Sequence, residues 1–401
     1  MTREELNKVC LEEVNKHKCI ILNLATGMGK SKLAIDMVNK ICDRVYKSSK
    51  QETSVLLVVA KQVHKNNWIE EINKWGGLKT DNVTIECYES LKKYRNSHFD
   101  VVILDEGHHL SDMRKEILET INIHENIIAL SATIDNSLKD WFNSTYNTYI
   151  LSASLQDAIE DSVLPEPTIY LIPLELKTGL PTEVIIKNPK AKGRILECNW
   201  ANRWSYIKQK KNPVRIYCNE KQYHEDLCGN IEWLKKRSMH SQIFKNKWLK
   251  LCNDRLKWLS DKKTNYIISL LDQLKDERTL TFCNSIEQTE ILGKNCIHSK
   301  NKNVETIINK FNKGKIDHIT ACQMVNEGQN LVNCKIGIYA NINSSERINI
   351  QKFGRLLRHK EPVIIIPFYR NTREEEVLKE ILQNFNRDCI KVINNLKEIK
   401  L

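Results

Sequence analysis

The chain has 401 residues, 41% of them hydrophobic and 28% charged, with a formal net charge of +12 and a pI of about 9.0. That composition belongs to packed, water-soluble domains, about two to three of them at this length, and the charge asks for an anionic partner without naming one. The longest apolar runs, such as VLLVVA and VIIIP, are far too short to span a bilayer, so no membrane is expected.

In chain order, short β-branched runs alternate with helical stretches from residue 19 onward. CIILNL (19–24), VLLVVA (55–60), VTIEC (83–87), VVILDE (101–106) and IIALSA (127–132) are predicted strands. They are apolar nearly throughout, as parallel strands covered on both faces are. Between them KSKLAIDMVNKICDRV and KNNWIEEINKWG read as helices, so residues 1–164 form a doubly wound βαβ domain.

Residues 165–199 are broken by prolines and glycines and hold two short predicted strands, IYLIPLEL and TEVIIK. Residues 200–263 carry 16 Lys and Arg against 6 Asp and Glu, which is +10 of the chain's +12, and five of its eight tryptophans. IEWLKKRSMHSQIFKNKWLKLCNDRLKWLSDKK reads there as one or two basic helices. Tryptophan beside lysine suits stacking on bases and holding phosphates, with Lys235, Lys236 and Arg237 as nucleic-acid contacts. The same residues equally suit the core of a small helical subdomain with a solvated lysine face.

A second parallel run follows: TLTFC (279–283), HITAC (318–322), KIGIYA (335–340) and VIIIPF (363–368), with helices at 285–293 and 304–313. Thr372, with Glu375 three residues on, opens a predicted long helix whose apolar stripe runs from Leu378 to Ile399. The fold class is α/β: two parallel-sheet domains in tandem, 1–164 and 264–401, with a basic, tryptophan-rich, mostly helical insertion over 165–263.

The thirteen cysteines are scattered and odd in number, and the charged start MTREELNKVCLEEVNKHK is no signal peptide. Free thiols in a reducing, cytoplasmic setting are expected. Cys218, His224 and Cys228 come closest to a metal cluster, yet their spacing matches no common zinc pattern.

Three motifs carry chemistry. LATGMGKS (24–31) sits between a predicted strand and a predicted helix, the context a phosphate-binding loop requires. Gly27 and Gly29 let backbone N–H groups turn toward phosphate oxygens at a helix amino terminus. Leu24, Thr26, Gly27, Met28, Gly29, Lys30 and Ser31 form the expected cradle, with Lys30 reaching the β and γ phosphates and Ser31 a Mg²⁺ ion. Leu24 stands where the general pattern has glycine. Asp105 and Glu106 end the strand VVIL at the edge where such sheets bind ligands. Asp105 is the expected metal ligand beside Ser31, and Glu106 the group that orients and deprotonates water. Near the carboxyl end, QKFGRLLRHK (351–360) puts Arg355 and Arg358 one helical turn apart. Supplied by the second domain, they would stabilise charge on a transferring phosphoryl group.

Taken together, LATGMGKS, DEGH (105–108), SAT (131–133), NEGQNL (326–331) and QKFGRLLRHK resemble the motifs of superfamily-two helicases. The look is nearest to the DExH-type branch with phage recombination helicases and type III restriction subunits. The resemblance implies two RecA-like domains, ATP and Mg²⁺, and nucleic-acid translocation or unwinding, on DNA before RNA. The alternative, second to that reading, is a nucleic-acid-stimulated ATPase that remodels branched or annealed strands or drives a partner nuclease or recombination protein without simple duplex unwinding, in a host cytoplasm if the gene is viral. By position it implies coupling roles for His108, Ser131, Thr133, Glu327 and Asn330, nucleotide contact by Gly328, and catalytic contact by Gln351 beside the two arginines. Lys61 and Asn67, with Asn284 and Ser285 in the second domain, would touch the nucleic-acid backbone. Gly107 replaces the commoner alanine, and Asn330 the usual aspartate. The upstream aromatic and glutamine that read the base have no match in MTREELNKVCLEE, where Arg3 is a speculative substitute.

Overall fold

The computed structural model describes residues 1–239, 241–322, 331, 334–342, 346–383 and 385–400. The expected two-sheet architecture is present. The first sheet is built from β1 (Cys19–Leu24), β2 (Val55–Val59), β3 (Val83–Cys87), β4 (His98–Asp105), β5 (Asn122–Ser131) and β6 (Thr148–Ala153), in the order β3-β2-β4-β5-β1-β6. Every pairing in it is parallel. Burial of β1 and β2 on both faces explains why their sequences do not alternate. β6 escapes the sequence reading because it is an edge strand whose residues are mostly half-buried, so TYILSA lacks a continuous apolar signature.

The second sheet has a less obvious membership. β7 (Thr168–Leu174) lies in the stretch read from the sequence as a linking region. Across a small separate sheet come β8 (Glu183–Lys187), β9 (Leu196–Asn199) and β10 (Val214–Cys218), ordered β8-β10-β9. Then follow β11 (Thr279–Cys283), β12 (Cys296–Ile297), β13 (His318–Cys322), β14 (Ile336–Tyr339), β15 (Val363–Tyr369) and β16 (Ile390–Val392). The second sheet runs β12-β13-β11-β14-β15-β7-β16, all parallel. β7 therefore belongs to this lobe, held against β15 in register from Thr168↔Val363 to Leu174↔Tyr369.

One expectation fails at the carboxyl end. The helix opened by Thr372 stops at Leu382, and Ile390–Val392 joins the sheet beside β7. Of the predicted stripe, Leu378, Ile381 and Phe385 are buried, whereas Val392 lies in the edge strand and is 61% exposed. Asn386 accepts from the Asp388 N–H and turns the chain there, and the β-branched pair Ile390 and Val392 suits a strand better than a helix. The cap is also arranged differently: Thr372 accepts from the Glu374 N–H, while Glu375 accepts from the Asn371 N–H.

The basic stretch forms an antiparallel hairpin of two helices, Glu220–Ser238 and Gln242–Lys262. Its base is tied to the rest of the protein. Trp258 donates to Glu183 at 3.1 Å, and Lys187 pairs with Asp226 at 2.7 Å. Just past the second helix, Lys263 and Glu374 form a fully buried ion pair at 2.6 Å, with Lys263 also donating to the Pro367 carbonyl. The five tryptophans divide between the two readings: Trp258 packs on Tyr223 at the base, while Trp204 and Trp233 are exposed.

Candidate functional site

The loop between β1 and the helix Lys30–Ser49 has the backbone its glycines allow. Gly27 and Gly29 lie at φ +96° and +89°, a region costly for any residue with a Cβ. Met28 is buried in the core, so only its backbone faces the loop. The Lys30 ammonium donates to the carbonyl of Leu24 at 2.8 Å and of Ala25 at 3.4 Å. Burial pulls the Lys30 pKa down. Glu106 and Asp105 oppose that, and Arg358 of the other lobe adds to it. A 20-residue helix beginning at Lys30, with Ser31 in its first turn, aims its positive end into the same space.

The acidic pair closes the other side. Asp105 ends β4 and accepts the Trp68 indole N–H at 2.9 Å, while the Tyr88 hydroxyl donates to the Asp105 carbonyl at 3.1 Å. Burial raises the Asp105 carboxyl, against the Trp68 bond and the charges of His64 and Lys30 that hold it down. Glu106 takes a left-handed backbone conformation, φ 51°. His108 Nδ1 lies 3.4 Å from Glu106 Oε2 and 3.2 Å from Ser131 Oγ. Ser131 spends its hydroxyl hydrogen on the Thr133 carbonyl at 2.8 Å, so the His108 contact needs a proton on Nδ1. DEGH and SAT are thus one polar chain.

The second lobe enters on the helix Glu346–Leu356. A Cβ on Gly354 would stand 2.6 Å from Thr26 Cβ and 2.8 Å from the Thr26 carbonyl, so only glycine lets this helix rest on the phosphate loop. Arg355, next in sequence, is 7% exposed, and both it and Arg358 line the cleft with Lys30, Asp105 and Glu106. The cleft encloses about 600 Å³. Arg3 borders it as well, donating to the Gly27 carbonyl at 3.2 Å.

The remaining expectations fall unevenly. Asn67, read as a nucleic-acid contact, lines this cleft. Lys61 is an exposed residue at the amino end of the helix Gln62–Lys74. Ser285 is buried and caps its helix by accepting the Gln288 N–H at 3.1 Å, and Asn284 accepts from Asn341 at 2.9 Å. Lys235, Lys236 and Arg237 are exposed on the hairpin. Glu327, Gly328 and Asn330 lie outside the described residues, and of Gln351 only the backbone is described. Among the described residues no group of three or more His, Cys, Asp or Glu could hold a metal, Cys218, His224 and Cys228 included. His64, Trp68 and Trp75 were not singled out from the sequence, although their spacing along KQVHKNNWIEEINKW puts them toward one helical face.

Residues 262–360 match the family model of the helicase conserved C-terminal domain. Dbp5 of S. cerevisiae, in a structure bound to RNA and ADP BeF3, superposes with a TM-score of 0.55 at 9% identity, over 94% of this chain and 85% of that one. The Hef helicase domain of Pyrococcus furiosus gives 0.52 at 14% identity, over 94% of this chain and 97% of that one. Comparison with the curated proteins yields no match. Two RecA-like parallel sheets in tandem are thus the fold this chain shares with those helicase structures, and its residues 262–360 match the helicase C-terminal domain model.

Proposed function

We propose that the chain is a nucleic-acid-stimulated ATPase motor that remodels branched or annealed strands or drives a partner such as a nuclease. The observation that carries this is the seating of Gly354 on Thr26, which brings Arg355 of one lobe against the phosphate loop of the other. A site divided in that way makes hydrolysis depend on how the lobes meet.

The residues fit a nucleoside triphosphate with Mg²⁺. Lys30, Arg355 and Arg358 supply positive charge, the helix amino terminus supplies oriented N–H groups, and Asp105 with Ser31 would hold a metal that keeps most of its ligands as water and phosphate. Bound there, Mg²⁺ would neutralise charge on the phosphate oxygens. Glu106 would orient and deprotonate the attacking water, and its contact with His108 would pass the state of the site to Ser131 and Thr133. Glu327, Gly328, Asn330 and Gln351 would complete the second-lobe side. We assign 1–164 to the first lobe, the remainder of 165–263 to the insertion, and β7 with 264–401 to the second lobe.

Simple duplex unwinding is the second reading; the hairpin favours it by projecting exposed aromatic and basic residues that could part strands. DNA is the expected substrate, with RNA equally accessible to backbone contacts. Dbp5 is seen with RNA, which keeps both in the test. Among the described residues no helix is long and apolar enough to cross a membrane. The test is ATP turnover with a panel of single-stranded, duplex and forked DNA and RNA, beside strand displacement of a tailed duplex. Stimulation with junction-restricted remodelling supports the first reading, and displacement of the tailed duplex supports the second. Turnover unchanged by every nucleic acid would refute both.

A further inference from the structure

We infer that Trp75 is the platform on which the nucleotide's base stacks, an inference that rests on reading the cleft as a nucleoside triphosphate site. The helix Gln62–Lys74 runs along the cleft, and His64, Asn67, Trp68, Glu71, Lys74 and Trp75 line it. The two tryptophans of this wall differ. Trp68 is 4% exposed and spends its indole N–H on Asp105. Trp75 lies seven residues on, about 10 Å farther along a helix, and is 40% exposed. A triphosphate anchored at Lys30 and Asp105 would carry its base away from that end of the cleft.

The ring is held in place. Its Nε1–H donates to Glu71 Oε2 at 2.8 Å, and the chain turns directly after it through Gly76 and Gly77, both at positive φ. Lys32 and Lys74 set their ammonium groups 5.4 and 4.9 Å from the ring centroid. Lys32 follows Ser31 directly, so the ring is tied to the first turn of the phosphate-loop helix itself. Both ammonium groups sit over the ring, so a base stacks there by displacing a flexible lysine from the exposed indole, and the displaced cation stays close enough to pair with a ribose-linked phosphate. Residues 1–18 contain no Phe, Tyr or Trp. Arg3, from that segment, reaches the Gly27 carbonyl and offers a guanidinium plane but no aromatic ring.

The experiment measures binding of ATP and of inorganic tripolyphosphate to the full chain by calorimetry in Mg²⁺, for wild type, Trp75→Ala and Trp75→Phe. Stacking predicts about a tenfold weaker ATP affinity for Trp75→Ala, unchanged tripolyphosphate affinity, and recovery of most of the ATP affinity in Trp75→Phe. A merely structural tryptophan would weaken both ligands alike in Trp75→Ala, and that result would overturn the inference, as would undiminished ATP binding. A wild-type chain that binds neither ligand would remove the nucleotide reading itself, and the platform with it.

Discussion

In the cleft, Trp68 is almost wholly buried and gives its indole N–H to a carboxylate. On the hairpin, Trp233 is half exposed and lies 3.7 Å from the guanidinium of Arg237, with Phe244 at its edge. Each region joins tryptophan to charge. In the first, burial turns the pair into a fixed hydrogen bond that aims Asp105 at the loop. In the second, exposure leaves both cation and ring available to a partner. The difference teaches that composition alone, here tryptophan beside charge, does not separate a positioning device from a binding surface. The surrounding packing does.

The largest expected effect breaks the first region and spares the second. Lys30→Ala and Glu106→Gln should each lower ATP turnover by on the order of a thousandfold or more, while much of the nucleic-acid binding persists. Steady-state phosphate release beside a binding titration checks this. Turnover near wild type in either variant would remove the assignment. A subtler break is Gly354→Ala. The new Cβ would meet Thr26 at 2.6 Å, so the arginine helix must back away from the loop. A displacement of about 1 Å at such a site can cost about a hundredfold in rate. The variant should bind ATP through the first lobe as before and hydrolyse it slowly.

That contact also marks what the sequence could convey. LATGMGKS and DEGH were readable because each groups its candidate residues within a few positions, with strand and helix signatures beside them. The contact of Gly354 with Thr26 joins segments more than 300 residues apart, and the Trp68–Asp105 bond spans 37. Neither leaves a local pattern. β7 was legible as a strand but not as a member of the second sheet, because its partner β15 follows the whole insertion. At the carboxyl end, the apolar residues after Leu382 fit a helical stripe and a strand edge equally, and the sheet decided between them. Ser285, expected from its motif position to touch the bound strand, is buried and caps its helix by accepting the Gln288 N–H, a local role its motif position did not indicate.

The hairpin would act on a strand only if it moves with a lobe, and the buried Lys263–Glu374 pair fixes it to the second. Burial lowers the Lys263 pKa, and the Glu374 carboxylate beside it opposes that shift. Lys263→Met alone strands the Glu374 carboxylate and should cost about 3–5 kcal/mol, read by denaturant melts. Replacing Glu374 by leucine in the same chain should recover most of that loss, since an apolar pair of similar volume needs no desolvation. A single variant as stable as wild type would show that the pair anchors nothing.

The smallest effect tests the hairpin surface directly. Lys235, Lys236 and Arg237 are exposed at the end of the first hairpin helix, with Arg237 against Trp233 and near Phe244. If these cations hold phosphates, each one lost removes released counterions from the binding equilibrium. The plot of log affinity against log salt should then flatten by about 0.9 for every duplex phosphate contact removed, or about 0.7 on a single strand. Replacing all three with glutamine should therefore weaken binding most at low salt, and equally across sequences because phosphate contacts carry no base information. Trp233→Ala should differ in kind: stacking depends little on counterions, so affinity for a single strand should fall while the salt slope stays put. If the triple variant keeps the wild-type slope, the three cations are a solvated face, and if Trp233→Ala also leaves single-strand affinity unchanged, the exposed ring is no contact either.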